Sequence, residues 1–364
     1  RRRPARRGAR GGMGPARERG ALVRLRLLAL QRSCEAQPVA SRISDTMKGL
    51  IWAFLRPAVV GYDEVATTVA GGTSPGKGAH QLWRPQGLAL APDGTLFVAD
   101  THNNRVQRFS PGSTVGVTVA GGNGPGEAAD QLKHPKAVAV CPTGELFVAD
   151  TLNHRVQRFA PGAAEGVTEI EGAATDDAPG ALGCPIALLL APDGTIIVAD
   201  AETGFIQRFP PGDTAGAAFA GRWGPPATAS LRTPCGLALT PDGALFLADA
   251  WNNRVQRFTA GSSVGVTVAG GRGPGDAADQ LNQPVSVALC LDGSMLVADM
   301  LNHRVQRFAP GSLHGVTVAG GGRHGGSAAD QLLYPVAVTV APDEAILVLD
   351  CYNNRVQRFS PLFA

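Results

Sequence analysis

Groups able to do chemistry are thinly spread along this chain of 364 residues, which holds 7 histidines and 6 cysteines. Cys34, Cys141, Cys184, Cys235, Cys290 and Cys351 stand far apart with no Cys-x-x-Cys pair. That spacing excludes a paired-ligand zinc module in this sequence and predicts free thiols in a reducing compartment. Gly121-Gly122-Asn123-Gly124-Pro125-Gly126 has the glycine content of a phosphate loop. No Lys-Ser/Thr closes it and no helix is expected after it, so it reads as a connector. No Ser/His/Asp or Cys/His set falls on one sector. What stands out is a scatter of basic and aromatic groups: Arg84, His102, Lys133, His134, Lys136, Arg232, Trp251, Leu301, Tyr334 and Tyr352. Aromatic and arginine anchors suit protein-binding hot spots, and aromatics mixed with Arg and Lys suit stacked single-stranded bases.

The elements that must position these residues follow from a repeat. Val98-Ala99-Asp100-Thr101-His102-Asn103-Asn104-Arg105-Val106-Gln107-Arg108-Phe109 returns five times, at Val148, Val198, Leu247, Val297 and Val348. Its anchoring aspartates are Asp100, Asp150, Asp200, Asp249, Asp299 and Asp350. Self-similarity at about fifty residues signals a repeat architecture. Within one unit, Gly87 to Leu90 is an apolar run, and Pro92-Asp93-Gly94 is a hairpin turn. Leu96 to Ala99 is a second strand, Arg105 to Phe109 a third and Val117 to Ala120 a fourth. Four short antiparallel strands make one propeller blade, so six units predict an all-β, six-bladed propeller. The last unit stops after its third strand, while Thr67-Thr68-Val69-Ala70-Gly71-Gly72 is an orphan fourth strand before the first unit. The two ends are expected to pair, closing the ring and removing exposed strand edges.

Strand direction sorts the loops. The Asp-x-x-Asn turns and the glycine-rich linkers share one face, around the mouth of the channel. Asp100 and Arg105, with their counterparts, recur around the ring and are expected to be structural, bonding across strands or from blade to blade, with an Asp–Arg pair across the hairpin satisfying both buried charges. Function is expected where blades differ. The second turn position reads His102, Leu152, Glu202, Trp251, Leu301 and Tyr352; the positions before and after the blade-opening prolines carry Arg84, Lys133, His134, Lys136, Arg232 and Tyr334. The third blade departs most, with Glu202-Thr203-Gly204-Phe205 in place of the Asn and Arg. Glu169, Glu171, Asp176, Asp177 and Glu202 would make that sector acidic and unfavourable to phosphate.

Val148-Ala149-Asp150-Thr151-Leu152-Asn153-His154-Arg155-Val156 resembles the signature of NHL repeats, and Asn302-His303-Arg304 repeats it. The resemblance covers residues 65–364 in register. It implies a six-bladed propeller used mostly as a protein- or RNA-binding platform, with some relatives serving as enzymes or as recruiting arms of ubiquitin ligases. Amidating-lyase relatives hold zinc through histidines at blade-opening positions; here those positions are Gln86, Lys136, Ile186, Cys235, Val285 and Val336. Lactonase-like propellers hold a metal with acidic and amide side chains in the channel, whereas the first strands here are nearly apolar. His154 and His303 share a turn position but fall in opposite blades, too far apart for one metal.

Composition separates a leader from the repeats. Residues 1–64 hold 14 basic and 5 acidic residues; the remainder is net −6, so the pI near 8.6 belongs to the leader. A run such as Arg1-Arg2-Arg3-Pro4-Ala5-Arg6-Arg7 is expected to be solvated and disordered. No apolar stretch approaches a membrane span. The resulting expectation is a basic leader over 1–64 and an NHL-type propeller over 65–364. It is expected to be a cytoplasmic, non-enzymatic monomer that docks a protein or peptide on its top face and carries no cofactor or metal. Single-stranded RNA binding and substrate recruitment for a ubiquitin ligase are the alternatives.

Overall fold

The computed structural model describes residues 58–363, except 73, 173–181, 222–229 and 322–323. Six four-stranded antiparallel sheets are arranged as six blades. In the first blade the strands are Gly87–Leu90, Leu96–Asp100, Arg105–Phe109 and Val117–Gly121, in that order from the channel outward. The predicted closure is present: Thr67–Gly71 is the outer strand of the sixth blade. Thr67 pairs with Arg358, Thr68 with Gln357, Ala70 with Val356 and Gly71 with Arg355. The propeller unit spans Val59–Leu362. It starts before the expected boundary at residue 65, because Val59–Tyr62 forms a strand and the Asp63 amide donates to the Ser360 carbonyl at 2.8 Å. The basic run of the leader lies outside the described residues. No helix among them is long and apolar enough to cross a membrane.

Two apolar devices hold the ring. The first is the phenylalanine that ends every third strand: Phe109, Phe159, Phe209, Phe258, Phe308 and Phe359 are all fully buried. A Cβ on Gly116 would sit 2.8 Å from Cζ of Phe109, so the ring lies flush on bare backbone. Gly166, Gly216, Gly265 and Gly315 meet their phenylalanines in the same way. The second device lies between blades. Leu132 from the linker packs with Phe97, Ala99 and Val106 of the first blade and with Val138, Val148 and Phe159 of the second. Each such side chain contributes roughly 1.5–3 kcal/mol when taken from water, and every blade interface repeats the arrangement.

The six first strands stand around the axis and line a central channel of about 640 Å³. Each begins at a proline or just after one, on the face that carries the Asp-x-x-Asn turns. Those turns are single 3-10 turns in five blades, such as Thr101–Asn103 and Cys351–Asn353, each ending in a left-handed residue. Gly204 at φ 69° plays that part in the third blade.

Candidate functional site at the channel mouth

The site is built on the six buried aspartates, all fully removed from solvent. Asp100 accepts from Arg105 Nε and Asn103 Nδ2, both at 2.8 Å, and from the backbone N–H of Trp83 at 2.7 Å. Burial pushes its carboxyl above the ordinary aspartate value, and the Asn103, Trp83 and Arg105 donors oppose that. The guanidinium of Arg105 then donates to the carbonyls of Lys77, Gly78 and Gln81, tying down the linker. The expected cross-strand pair is therefore present, and it reaches further than a pair. Its five copies include Arg155–Asp150, Arg254–Asp249, Arg304–Asp299 and Arg355–Asp350, each at 2.8 Å.

The aspartate also holds the segment that displays the variable residues. The backbone N–H two residues before each blade-opening proline donates to it in all six blades: Trp83, Lys133, Gly183, Arg232, Asn282 and Leu333. The next residue is left-handed in five blades, as Arg84, His134, Thr233, Gln283 and Tyr334, with φ between 44° and 54°. Such a backbone costs about 1–3 kcal/mol for a residue with a side chain and persists only where its surroundings impose it. In four of the five a neighbour-blade side chain does so. Asn354 Oδ1 accepts from the Arg84 N–H, Asn104 Oδ1 from the His134 N–H and Asn253 Oδ1 from the Gln283 N–H, each at 2.9 Å. His303 Nδ1 accepts from the Tyr334 N–H at 3.2 Å, so His303 is a clamp, its proton assigned to Nε2.

This frame brings half of the predicted rim together as a crescent. The Tyr334 and Tyr352 rings are 4.6 Å apart, and the Arg84 guanidinium lies 4.4 Å over Tyr352. Beyond Arg84, Trp83 meets His102 at 5.6 Å, and His102 meets His134 at 5.1 Å. Lys133 and Lys136 flank His134 in sequence, and their charges act on its imidazole. Among the described residues, no ring or cation contact joins Arg232, Trp251 or Leu301 to this crescent. Trp83 and His303 belong to the crescent but were not among the expected site residues. Their signal was the same local position as Lys133 and Asn104, read as variation in a loop.

The electrostatics of the crescent favour neutral imidazoles under positive charge. Burial holds His102 below the ordinary histidine value, helped by His134 and Arg84. Burial likewise lowers His134, helped by Lys136 and Lys133. His102 Nδ1 is buried with no hydrogen-bond partner among the described residues. The cysteine at the mouth is inert by comparison: burial pushes the Cys235 thiol up to about 12, and its Sγ meets the Thr233 carbonyl at 3.4 Å. Among the described residues, no three His, Cys, Asp or Glu side chains are grouped to hold a metal ion.

The acidic sector expected in the third blade is not assembled. Glu169 and Glu171 lie on the outer strand of the second blade, Val167–Glu171, where Glu169 accepts from Arg158 at 3.0 Å. Glu202 stays on the top-face turn, packed near Gly183. Asp176 and Asp177 lie outside the described residues.

Comparison with known proteins bears on both fold and function. The solved structures that match include a gluconolactonase from Xanthomonas campestris, with TM-score 0.58 and 14% identity over 82% of this chain and 89% of that one. They include the virginiamycin B lyase of Staphylococcus aureus with quinupristin, with TM-score 0.52 and 14% identity over 79% and 83%. They also include the PQQ-bound aldose sugar dehydrogenase of Streptomyces coelicolor, with TM-score 0.55 and 16% identity over 84% and 100%. No curated protein sequence matches the chain. At such identities the likeness is one of fold, but it overturns the expectation of a non-enzymatic docking platform and, with it, the RNA-binding and ubiquitin-ligase alternatives. That expectation rested on apolar first strands, whereas the titratable groups sit on the connections above them. The family model of the NHL repeat matches residues 82–109, 132–159 and 332–359. Those are the first, second and sixth blades, the remaining three share their register, and the chain is an NHL-repeat six-bladed propeller.

Proposed function

We propose that the protein is an enzyme acting on a small ester or lactone, with its active centre in the crescent and with His102 and His134 as the acid–base pair. The observation that carries this reading is the 5.1 Å approach of two imidazoles that burial and the nearby charges of Arg84, Lys133 and Lys136 hold neutral. A neutral imidazole accepts a proton, and the ammonium and guanidinium groups favour the negative charge that grows on a carbonyl oxygen under attack. In the proposed step Nε2 of His102, with the ring proton on the buried Nδ1, takes a proton from water as the water oxygen bonds to the carbonyl carbon. The C=O electron pair moves onto oxygen under the cations. The oxyanion then collapses to C=O as the C–O bond to the leaving group breaks, and the proton taken up by His102 passes by way of neutral His134 to the leaving oxygen. The Trp83, Tyr334 and Tyr352 rings offer faces on which a ring-bearing substrate can lie. The fold likeness to a gluconolactonase supports a cyclic ester as the first candidate.

The test is a panel of aryl esters and lactones assayed with the full chain and with His102→Ala and His134→Ala. Each substitution is expected to lower kcat/KM by about 10²–10⁴ on the best substrate, with melting unchanged. Turnover equal to the protein-free control for every substrate, or full activity in both variants, overturns the reading.

A further inference from the structure

A second hollow, of about 870 Å³, opens beside the outer strand of the fifth blade and shares no residue with the crescent. One wall is that outer strand, Gly315–Gly320, and the other is Val59–Tyr62. Side chains alternate between the two faces of a strand, so a wall made by a face shows every second residue. Here Val316, Thr317, Val318, Ala319 and Gly320 all line the hollow, as do Val60, Gly61 and Tyr62. Consecutive lining is the mark of a strand edge. The sheet order agrees: Gly315–Gly320 is hydrogen-bonded to Arg304–Phe308 alone, and Val59–Tyr62 also has a strand on one side only. The Gly315 N–H is taken by the Ala278 carbonyl at 2.7 Å, so the open run begins at Val316. The strand, Gly-Val-Thr-Val-Ala-Gly, carries none of the lysines or prolines that guard an edge against further pairing.

The charges choose the occupant. Glu64, Asp292 and Asp330 line the hollow with Arg307 and His314. Arg307 is already committed: it pairs with Asp292 and donates to the Ser294 hydroxyl at 2.9 Å and the Val59 carbonyl at 3.2 Å. Three carboxylates against one guanidinium leave a net of two negative charges with His314 neutral. They fall to Glu64 and Asp330, both exposed and in no ion pair among the described residues. Val60 and Val316, one on each wall, are 65% and 68% exposed, so an apolar contact there is also unused. We infer that this edge takes an extended cationic peptide as an added strand. Its backbone pairs along Val316 to Gly320, its Lys or Arg side chains reach Glu64 and Asp330, and its alternate apolar side chains lie between Val60 and Val316. An acidic peptide would meet the two carboxylates, and a small organic cation would leave the strand edge unpaired.

The experiment is fluorescence anisotropy of a labelled, end-capped hexapeptide of alternating lysine and valine, titrated with the full chain. One-to-one binding is expected. The same peptide with glutamate for lysine should not bind. A form N-methylated at every amide keeps the charge but cannot donate to a strand, and should bind at least about tenfold more weakly. Spermidine, with the same three charges, should fail to displace the peptide at about tenfold excess. The double variant Glu64→Gln with Asp330→Asn should melt as the unaltered protein does and weaken binding by about threefold to tenfold. Hydrogen exchange should slow in residues 316–320 when the peptide is bound. Absence of binding, equal binding of the glutamate or N-methylated peptide, displacement by spermidine, unchanged affinity in the double variant, or exchange unchanged in residues 316–320 would each overturn the inference.

Discussion

The first and third blades keep the same buried aspartate and surround it differently. Asp100 faces a cation, a side-chain amide and one backbone N–H. In the third blade Phe205 stands where the arginine would be and Thr203 where the asparagine would be. Asp200 there accepts from four backbone N–H groups, those of Gly183, Cys184, Glu202 and Thr203. The bond common to both blades is the one to the segment before the blade-opening proline. A buried carboxylate is thus the part every blade uses, because it pins the strand entry that overhangs the channel. The arginine is a second device that ties the linker, and backbone donors replace its charge where it is missing.

The largest expected effect is Asp100→Ala. It leaves Arg105 buried without its counter-charge and releases Trp83 together with the linker, which predicts a loss of about 3–5 kcal/mol in urea unfolding. Asp200→Ala removes the acceptor of four hydrogen-bond donors, against three for Asp100, but strands no cation, so a smaller loss of about 1–3 kcal/mol is expected. Equal losses in the two variants would break the comparison. Next in size is Asn104→Ala, which removes the acceptor for the left-handed His134 N–H and should cost about 1–2 kcal/mol. It should also lower catalysis more than stability, because His134 is then free to turn away; a loss of stability with full activity would detach the clamp from the site.

The smallest effect is one of pH. Both imidazoles have folded values below the ordinary histidine value of 6.5. They are therefore proton-poor relative to the unfolded chain as pH falls through that value, and stability declines over the window between the unfolded and folded values, levelling off below the latter. The acid limb of kcat/KM should correspondingly lie below 6.5. Lys133→Gln removes one of the charges acting on His134 and should move that limb upward by a fraction of a pH unit. A limb at or above 6.5 in the unaltered protein would contradict neutral imidazoles in the crescent.

Much of the architecture was legible in the residues. The fifty-residue recurrence of Val-Ala-Asp predicted six blades, the Asp-Gly turns predicted their hairpins, and Thr67 to Gly72 predicted the closing strand. Those features are local: strand propensity, turn chemistry and alternation act over a few residues, and repetition multiplies the signal. The Asp–Arg pairs were legible for the same reason, since five residues separate Asp100 from Arg105 across one hairpin.

The site was legible only as a set of places. Ten positions were expected on the rim, and nothing in their order separates Tyr334, Tyr352, Arg84, His102 and His134, which meet, from Arg232, Trp251 and Leu301, which do not join them. Arg84 and Tyr352 lie at opposite ends of the propeller sequence and touch because the ring closes. The clamps from Asn104 to His134 and from Asn354 to Arg84 cross between blades, so no single repeat contains one. Lys136 reads as one basic residue among several until the first strands bring it to the channel lining as its sole charged residue. Local sequence determined the blades, because their forces are short-ranged; closure of the ring alone decided which variable side chains share a mouth, because that depends on distances the chain order does not encode.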